Sequence, residues 1–396
     1  MSRGSLAADI AIIGGGPAGA STALHLVRRE GVAPDRIVVL DKARFPRDKP
    51  CAGAVSQLGL DVLDAIGVGV SVPSAPMRGV RVLQRAAIGE TFVSMGVCVR
   101  RLEFDAHLLR TVAADGVRVL EAEGLRTLAR RNGGFALETD ARTITARLVV
   151  AADGAGSVTR RLLGLREHDR KGHLYVLDSP ITANDTGVTR GLCDFDLSVL
   201  DDGIDGYYWD FPTKLDGSIQ VSRGIYHANF ERPTKSAGES VKDVLARALA
   251  RRGVDLAAVK LRPFSTRPFV AASTTWVHGA MLVGEACGID QTTGEGIAQA
   301  IDMGRIAAHH LAAGLAHGAQ TFAGYDRDLR SSVTGSHLLQ SAWMARRVYG
   351  RIGRPAQRLL LRSSYARRAA IKWYCGERLP LPTKLFLGVG LVANLR

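Results

Sequence analysis

The sequence predicts an α/β architecture, α+β overall: a Rossmann-like domain interleaved with a mostly antiparallel-sheet domain and followed by a C-terminal helical region. Three observations carry this. The apolar run Ile10 to Ile13 is followed by Gly14, Gly16 and Gly19 and then by a helix-forming stretch, and a second apolar run, Ile37 to Leu40, closes on the acid Asp41. Two later apolar runs, in LVVAADG and MLVGEACG, also end in glycine turns. Between these lie segments with the two-residue alternation of half-buried strands, such as GVRVLQ and ETFVSMGVCV.

Taken in order, the opening strand, turn, helix over 18–29, strand and acid form a βαβ unit that binds a dinucleotide. One glycine makes the tight turn, one lets the backbone approach a pyrophosphate, and one lets helix and strand pack closely. The helix aims its free N–H groups at the phosphates, and Asp41 accepts from a ribose. A helix near 54–66 leads to Pro73, Ser74 and Pro76, and residues 78–99 alternate as strands. A helix over 103–114 precedes a β-rich stretch through ITARLVVAADG. Residues 172–230 and 258–270 read as strands with a helix over 236–252 between them, and a glycine-rich turn opens a long helix at 294–316. The expected first domain is therefore discontinuous (1–75, 100–165 and 275–335), its open face covered by a sheet domain (76–99 and 166–274), with a helical region over 336–396.

A chain of 396 residues with 46% hydrophobic content buries a large core. Its five cysteines, Cys51, Cys98, Cys193, Cys287 and Cys375, are scattered without a CxxC pair, which argues against a disulfide scaffold or a zinc site and fits a reducing cytosol. The N-terminus runs straight into the first strand, leaving no room for a signal peptide, and no stretch has the apolar length of a spanning helix. The net charge of +14 is concentrated at one end: residues 341–396 hold twelve Lys and Arg against the single acid Glu377, hence +11. Interleaved with Trp343, Tyr365 and Trp373, these cations read as a basic amphipathic helical region. It suits a packed helix pair with solvated arginines, contact with the inner face of an anionic membrane, or docking of an acidic carrier or redox protein. Nucleic acid is excluded, because no recognition motif accompanies the charge.

Beyond the first turn, Asp153 and Gly154 follow a buried strand, and Gly284, Glu285, Gly294 and Gly296 lie between another strand and the long helix. A carboxylate just past a strand end holds sugar-like hydroxyls, and a helix N-terminus stabilises negative charge. Together with the first turn, these segments resemble the FAD-binding signature of flavoproteins of the p-hydroxybenzoate-hydroxylase type and, more narrowly, the FAD-dependent geranylgeranyl reductase family. The resemblance spans about residues 8–330. GGGPAG (Gly14, Gly16, Pro17, Ala18 and Gly19) with Asp41 and Lys42 matches the pyrophosphate and ribose site, and FPRDKPCAG (Phe45 to Gly53) resembles the family's KPCGG segment. Arg101 opens an R-x-x-F-D pattern whose arginine the family places near the FAD phosphates. Asp153, Gly154, Gly284, Glu285, Gly294 and Gly296 match the later FAD motifs, and YYWDFP (Tyr207 to Pro212) resembles a Y-x-W-x-F-P segment on the substrate side of the flavin. The chain departs from the family at Ile204, Ala52 and Gln291, which the resemblance puts near the reaction chamber, and at Glu285, where an Asp is usual.

The resemblance implies a catalytic group of Cys51, Tyr207, Trp209 and Phe211 and no metal. Reduced flavin would pass hydride to one carbon of an isolated alkene while a proton reaches the other. Such an alkene is a poor acceptor, so proximity and a placed acid must supply much of the barrier reduction. Cys51 is the candidate acid, or else a small buried hydrophobe; Tyr207, Trp209 and Phe211 alternate onto one face and form either an apolar wall for a long hydrophobic substrate or ordinary strand packing. A flavin monooxygenase (hydroxylase or epoxidase) or a halogenase-like tailoring enzyme is the alternative on the same scaffold, although the halogenase W-x-W-x-I-P motif is absent. A non-catalytic adaptor would have lost the FAD contacts that this chain keeps. With one dinucleotide fingerprint, the reductant is transiently bound NADPH or a ferredoxin-like donor. Adjacent His309 and His310 point about 100° apart on a helix and do not chelate one metal together.

Overall fold

A computed structural model describes residues 4–131, 133–165, 171–230, 240–350 and 352–394. The expected βαβ start is β1 (Gly4–Ile13), α1 (Pro17–Arg28) and β2 (Ile37–Leu40). β1 and β2 pair in parallel, Ile10 opposite Ile37 and Ile13 opposite Leu40. The stretch near 54–66 differs from its expected single helix: its first residues form β3 (Ala54–Ser56) and only then α2 (Gln57–Asp64). The alternating segments are β4 (Ser74–Gln84) and β5 (Ala87–Val99), followed by α3 (Arg101–Ala114). Next come β6 (Arg118–Leu120), β7 (Leu125–Arg131), β8 (Gly134–Thr139), β9 (Arg142–Ala151) and the short α4 (Val158–Leu162). The middle of the chain supplies β10 (Gly172–Ser179), β11 (Leu192–Asp196), β12 (Gly206–Leu215) and β13 (Ser218–His227). After α5 (Val241–Ala250) come β14 (Arg262–Thr266), β15 (Trp276–Val277) and β16 (Ala280–Leu282). Ser240 and Asp243 close a capping box at the start of α5, and the expected helical residues 236–239 lie outside the described ones. The chain ends in helices: α6 (Ile297–His317), α7 (Ala323–Ser331), α8 (Val333–Val348), α9 (Gly353–Arg362), α10 (Ser364–Tyr374) and α11 (Leu381–Ala393).

Among the described residues the strands make two eight-stranded sheets. The first runs β15-β16-β9-β1-β2-β6, parallel through its centre. One edge of β9 is divided: residues 143–146 pair with β8 and 149–151 with β16. β2 and the C-terminal halves of β1 and β9 are apolar on both faces, as a sheet covered on both sides requires. One face packs on α1, α3 and α6 through residues such as Leu24, Phe104 and Ile301, and the other is closed by Leu125, Phe135 and Leu137 of the β7–β8 hairpin.

The second sheet runs β14-β10-β13-β12-β11-β4-β5-β3 and is antiparallel except where β11 meets β4. Two features depart from the expected domain limits. β3 lies within the stretch assigned to the first domain, yet its backbone pairs with β5, Ala54 opposite Cys98. The limit at 335 falls inside α8. On β12 the alternation holds. Tyr207, Trp209 and Phe211 face a core completed by Tyr226, Ala345, Tyr349 and Ile371, so the C-terminal helices roof this face. Tyr208 faces the opposite side, against Ile225, Val244 and Leu245 under α5. There too Arg223, fully buried, donates to Asp185 and Asp210, while Arg252 donates to Asp210 and Asp196. Two cations against three carboxylates in the interior are sustained only because nearly every hydrogen-bonding position is matched.

Candidate active site

The first glycine turn is shaped by steric necessity. Gly14 adopts φ 112°, and a Cβ there would meet the Ala152 carbonyl oxygen at 2.4 Å; at Gly19 a Cβ would meet the Gly14 carbonyl oxygen at 1.9 Å. Pro17 occupies the first helical position, where its missing N–H costs nothing, and Ala18 packs beneath Gly284, whose own Cβ would lie 2.8 Å from the Ala18 methyl. No side chain caps α1 and no acid sits in its first turn, so its N-terminus presents positive potential outward. Asp41 Oδ2 accepts from the Gly15 N–H at 2.8 Å and Oδ1 from the Ala43 N–H at 2.8 Å. Each oxygen keeps a further lone pair for a ribose hydroxyl. Lys42 beside it is exposed.

Arg101 is buried and forks onto Asp105 with two bonds of 2.6 Å. Arg47 reaches the same carboxylate at 3.0 Å, and its guanidinium would lie 3.3 Å from a Cβ on Gly16. Two guanidiniums thus share one carboxylate beside the N-terminus of α1, leaving one uncompensated positive charge where a pyrophosphate belongs. Lys49 pairs with Glu285 at 2.6 Å, and Gly154 at φ 79° lies beside that carboxylate. Arg47 and Lys49 were not singled out from the sequence. Their signal is the spacing in FPRDKPCAG, which places two cations on the strip crossing between the sheets. Asp153 turns its carboxylate to α4 instead, accepting from Ser157 Oγ at 2.5 Å and from Thr159 N and Oγ1 at 2.9 Å each.

The loop before α6 is the hub. Asp290 accepts from Thr292 N, Thr293 N, Thr293 Oγ1, Ser341 Oγ and His337 Nε2. Burial alone would raise its pKa, but the His337, Ser341 and Thr293 bonds win and hold it below the usual Asp range. Three phenols then clamp successive carbonyls: Tyr226 O–H donates to Gln291 at 3.0 Å, Tyr349 to Thr292 and Tyr207 to Thr293. Burial pushes all three phenols upward. Gly294, at φ 68°, sits where a Cβ would meet the Tyr226 ring at 3.4 Å, and Gly296 opens α6. Glu295 between them is buried and pushed up to about 8; its Oε1 accepts from Ala298 N at 3.2 Å and its Oε2 has no partner among the described residues.

Cys51 is half-buried, its Sγ accepting from Gly53 N at 3.4 Å, and it lies within electrostatic reach of Arg101 and Tyr207. The Tyr207 and Trp209 rings lie 6.2 Å apart by centroids and tilted to each other, Trp209 and Phe211 6.4 Å, and Phe195 stands 5.1 Å from both Tyr207 and Phe211. The Trp209 indole N–H is buried with no partner among the described residues. Of the three aromatic positions named from the sequence, Tyr207 lines a cavity of about 910 Å³ that extends from Thr292 and Thr293 to Trp343, Leu387 and Leu391. Ala52 and Gln291 lie at this face, as expected, but Ile204 does not. It packs with Val199 and Leu245 on the far side of the second sheet, because it precedes β12 on a turn that falls under α5.

An open glycine cradle at a helix N-terminus, an excess positive charge beside Gly16 and a carboxylate past a strand end fit FAD in extended form. The chain is 27% identical over 336 residues to a menaquinone reductase of Mycobacterium tuberculosis, covering 77% of this chain and 76% of that one. It is 25% identical over 398 residues to a chloroplastic geranylgeranyl diphosphate reductase of Oryza sativa, covering 92% and 77%. A geranylgeranyl bacteriochlorophyll reductase-like structure from Thermoplasma acidophilum superposes with TM-score 0.71 at 20% identity, covering 98% of this chain and 96% of that one. A p-nitrophenol 4-monooxygenase of Pseudomonas putida shares the fold at TM-score 0.66 and 18% identity over the whole of both chains. The resemblance to geranylgeranyl reductases holds in these relatives. Residues 7–328 match the family model described as FAD binding domain, and the chain belongs to that family as an FAD-dependent oxidoreductase.

Proposed function

We propose that this oxidoreductase saturates carbon–carbon double bonds of an isoprenoid or a similarly long hydrophobic substrate. The observation that carries the reading is the cavity: about 910 Å³, walled by aliphatic and aromatic side chains from Tyr207 to Leu391, it suits a flexible hydrocarbon better than a small polar ring. When bound and reduced, FAD supplies hydride, with NADPH or a ferredoxin-like protein as the source of electrons. Gly14, Gly16, Gly19, Arg47 and Arg101 hold the pyrophosphate, and Asp41 and Glu285 take sugar and ribityl hydroxyls. The walls exclude water, and Phe195 and Tyr207, which line the cavity with Trp209 and Phe211 packed against them, fix the chain direction. Tyr207 is not the acid, since its proton is committed to the Thr293 carbonyl and its phenol is held far above neutral titration. The S–H proton of Cys51 is not committed to any described hydrogen bond, which leaves Cys51 as the group to protonate the second alkene carbon.

The test is incubation of the FAD-loaded protein with a geranylgeranyl lipid and NADPH or reduced ferredoxin, with products read by mass spectrometry. Hydrogen gained for each double bond lost supports the reading. Oxygen gained instead would transfer support to monooxygenase chemistry, the reading that the p-nitrophenol monooxygenase likeness favours.

A further inference from the structure

α11 is anomalous for a surface helix. Its thirteen residues carry one charge, Lys384. Thr383 is buried, and Leu387 and Leu391 are half-buried toward α9 and the cavity, with Gly390 packed against Leu359. The opposite face bears Leu381, Leu385, Phe386, Val389 and Val392, each between 44% and 70% exposed. A row of five large apolar side chains on a short helix marks an interaction surface rather than ordinary scatter. At about 1.5 Å per residue the helix is roughly 20 Å long, and no helix among the described residues is long and apolar enough to cross a membrane.

The surroundings of this face are cationic. Arg358 donates to the Asn394 carbonyl at the end of α11 at 3.2 Å, Arg347 stacks on the exposed Trp343 ring at 3.7 Å, and Lys384 lies on the same rim. The segment from 341 onward has a net charge of +11. Apolar side chains at the centre, with arginine, lysine and tryptophan around them, match the depth profile of a bilayer interface whose headgroups are anionic. An acidic protein would satisfy the cations but not five aliphatic and aromatic residues. The cavity bears on the same point, because Trp343, Lys384, Leu387 and Leu391 form its outer rim.

We propose that α11 lies in the plane of an anionic membrane with Leu381, Leu385, Phe386, Val389 and Val392 in the acyl layer, and that the cavity opens there into the lipid. A long apolar tail then passes from bilayer to active site without meeting water. This entry route rests on the isoprenoid reading above; the docking itself does not.

The FAD-loaded full chain is sedimented with vesicles of phosphatidylcholine and phosphatidylglycerol in equal parts, and with phosphatidylcholine alone. Wild type is expected to pellet with the anionic vesicles and far less with the neutral ones. L385N/V389N changes only exposed positions, so flavin content and Tm stay put while the partition coefficient falls by about tenfold or more. K384E/R347E is expected to weaken binding to the anionic vesicles alone. Wild type remaining in the supernatant with both vesicles overturns the proposal, as does L385N/V389N binding like wild type. A protein that stays off vesicles but forms a dimer in sedimentation velocity, dissolved by L385N/V389N, overturns it in favour of a second copy on this face. None of these measurements uses turnover, so failure of the reductase reading and failure of docking are separate results.

Discussion

The phenol of Tyr207, on β12 of the second sheet, donates its proton to the main-chain carbonyl of Thr293, in the loop that opens α6 against the first sheet. Tyr226 and Tyr349 do the same for Gln291 and Thr292. The loop is thus held by two phenols from the second sheet and one from the end of α8. Tyr207→Phe leaves a buried carbonyl unpaired and is expected to cost about 1–3 kcal/mol in urea unfolding. Because the loop faces the cavity, turnover should fall with it, and unchanged turnover would refute a role for this clamp in shaping the site.

Trp209 tests the aromatic wall. Trp209→Ala opens a large void and is expected to cost about 3–5 kcal/mol, so Trp209→Phe, which keeps most of the volume, is the informative variant. Turnover on a long substrate should drop at least about tenfold while Tm shifts modestly. Unchanged turnover would show that Trp209, packed against Tyr207, does not support the substrate wall.

The pairing of Arg47 with Asp105 predicts a cofactor phenotype without a folding phenotype. In Arg47→Ala the buried Asp105 keeps both bonds to Arg101, so the apoprotein should melt near wild type. Loss of one charge-assisted bond to a phosphate weakens FAD binding by about 10–100-fold. Flavin fluorescence quenching during titration reads this directly.

Glu295 gives stability a pH slope. Folding raises this carboxyl to about 8, so above its ordinary range the folded state binds a proton that the unfolded chain releases. Its favourable contribution is complete below the unfolded pKa, is lost as pH climbs through about 8, and stays lost above. Urea unfolding from pH 5 to 9 should show a decline of roughly 3–5 kcal/mol in wild type. Glu295→Gln should flatten it.

The interior ion network under α5 predicts a large stability loss. Arg223→Met leaves Asp185 without its bidentate partner and Asp210 with Arg252 as its one remaining cation in the network beside the Tyr208 phenol, at a cost of about 3–5 kcal/mol. Flavin content of the folded fraction should be unaffected, since the network lies on the far side of the second sheet.

What the sequence makes legible follows from locality. The turn Gly14 to Gly19 after β1, Asp41 at the end of β2 and the one-sided row Tyr207, Trp209 and Phe211 all depend on spacing within a few residues, and the structure shows these local arrangements, while the long helix expected from 294 opens at Ile297. Contacts between distant segments carry no such signature. Arg47 reaching Gly16, Lys49 pairing with Glu285, and His337 bonding Asp290 join positions far apart in the chain, and only the fold brings them together. Ile204 fails for a related reason. Its register relative to β12 is set by a turn rather than by the alternation of the strand, and the turn directs it to α5. The basic tail illustrates a third limit: charge counting locates the cations but does not reveal that α8 to α10 roof the aromatic face while α11 turns its apolar side outward.

The wall of the site is assembled from residues 14–19, 47–53, 207–211 and 284–296, and β16 completes the first sheet only after some 280 residues have been made. A ribosome-bound fragment ending before β16 therefore lacks both the strand that fills the divided edge of β9 and α6 beyond it. Cofactor capture waits for synthesis of nearly the whole polypeptide. Until then the apolar edges of the unfinished sheet stand open, so limiting riboflavin supply during expression should swell the aggregated pool rather than a stock of soluble, colourless protein.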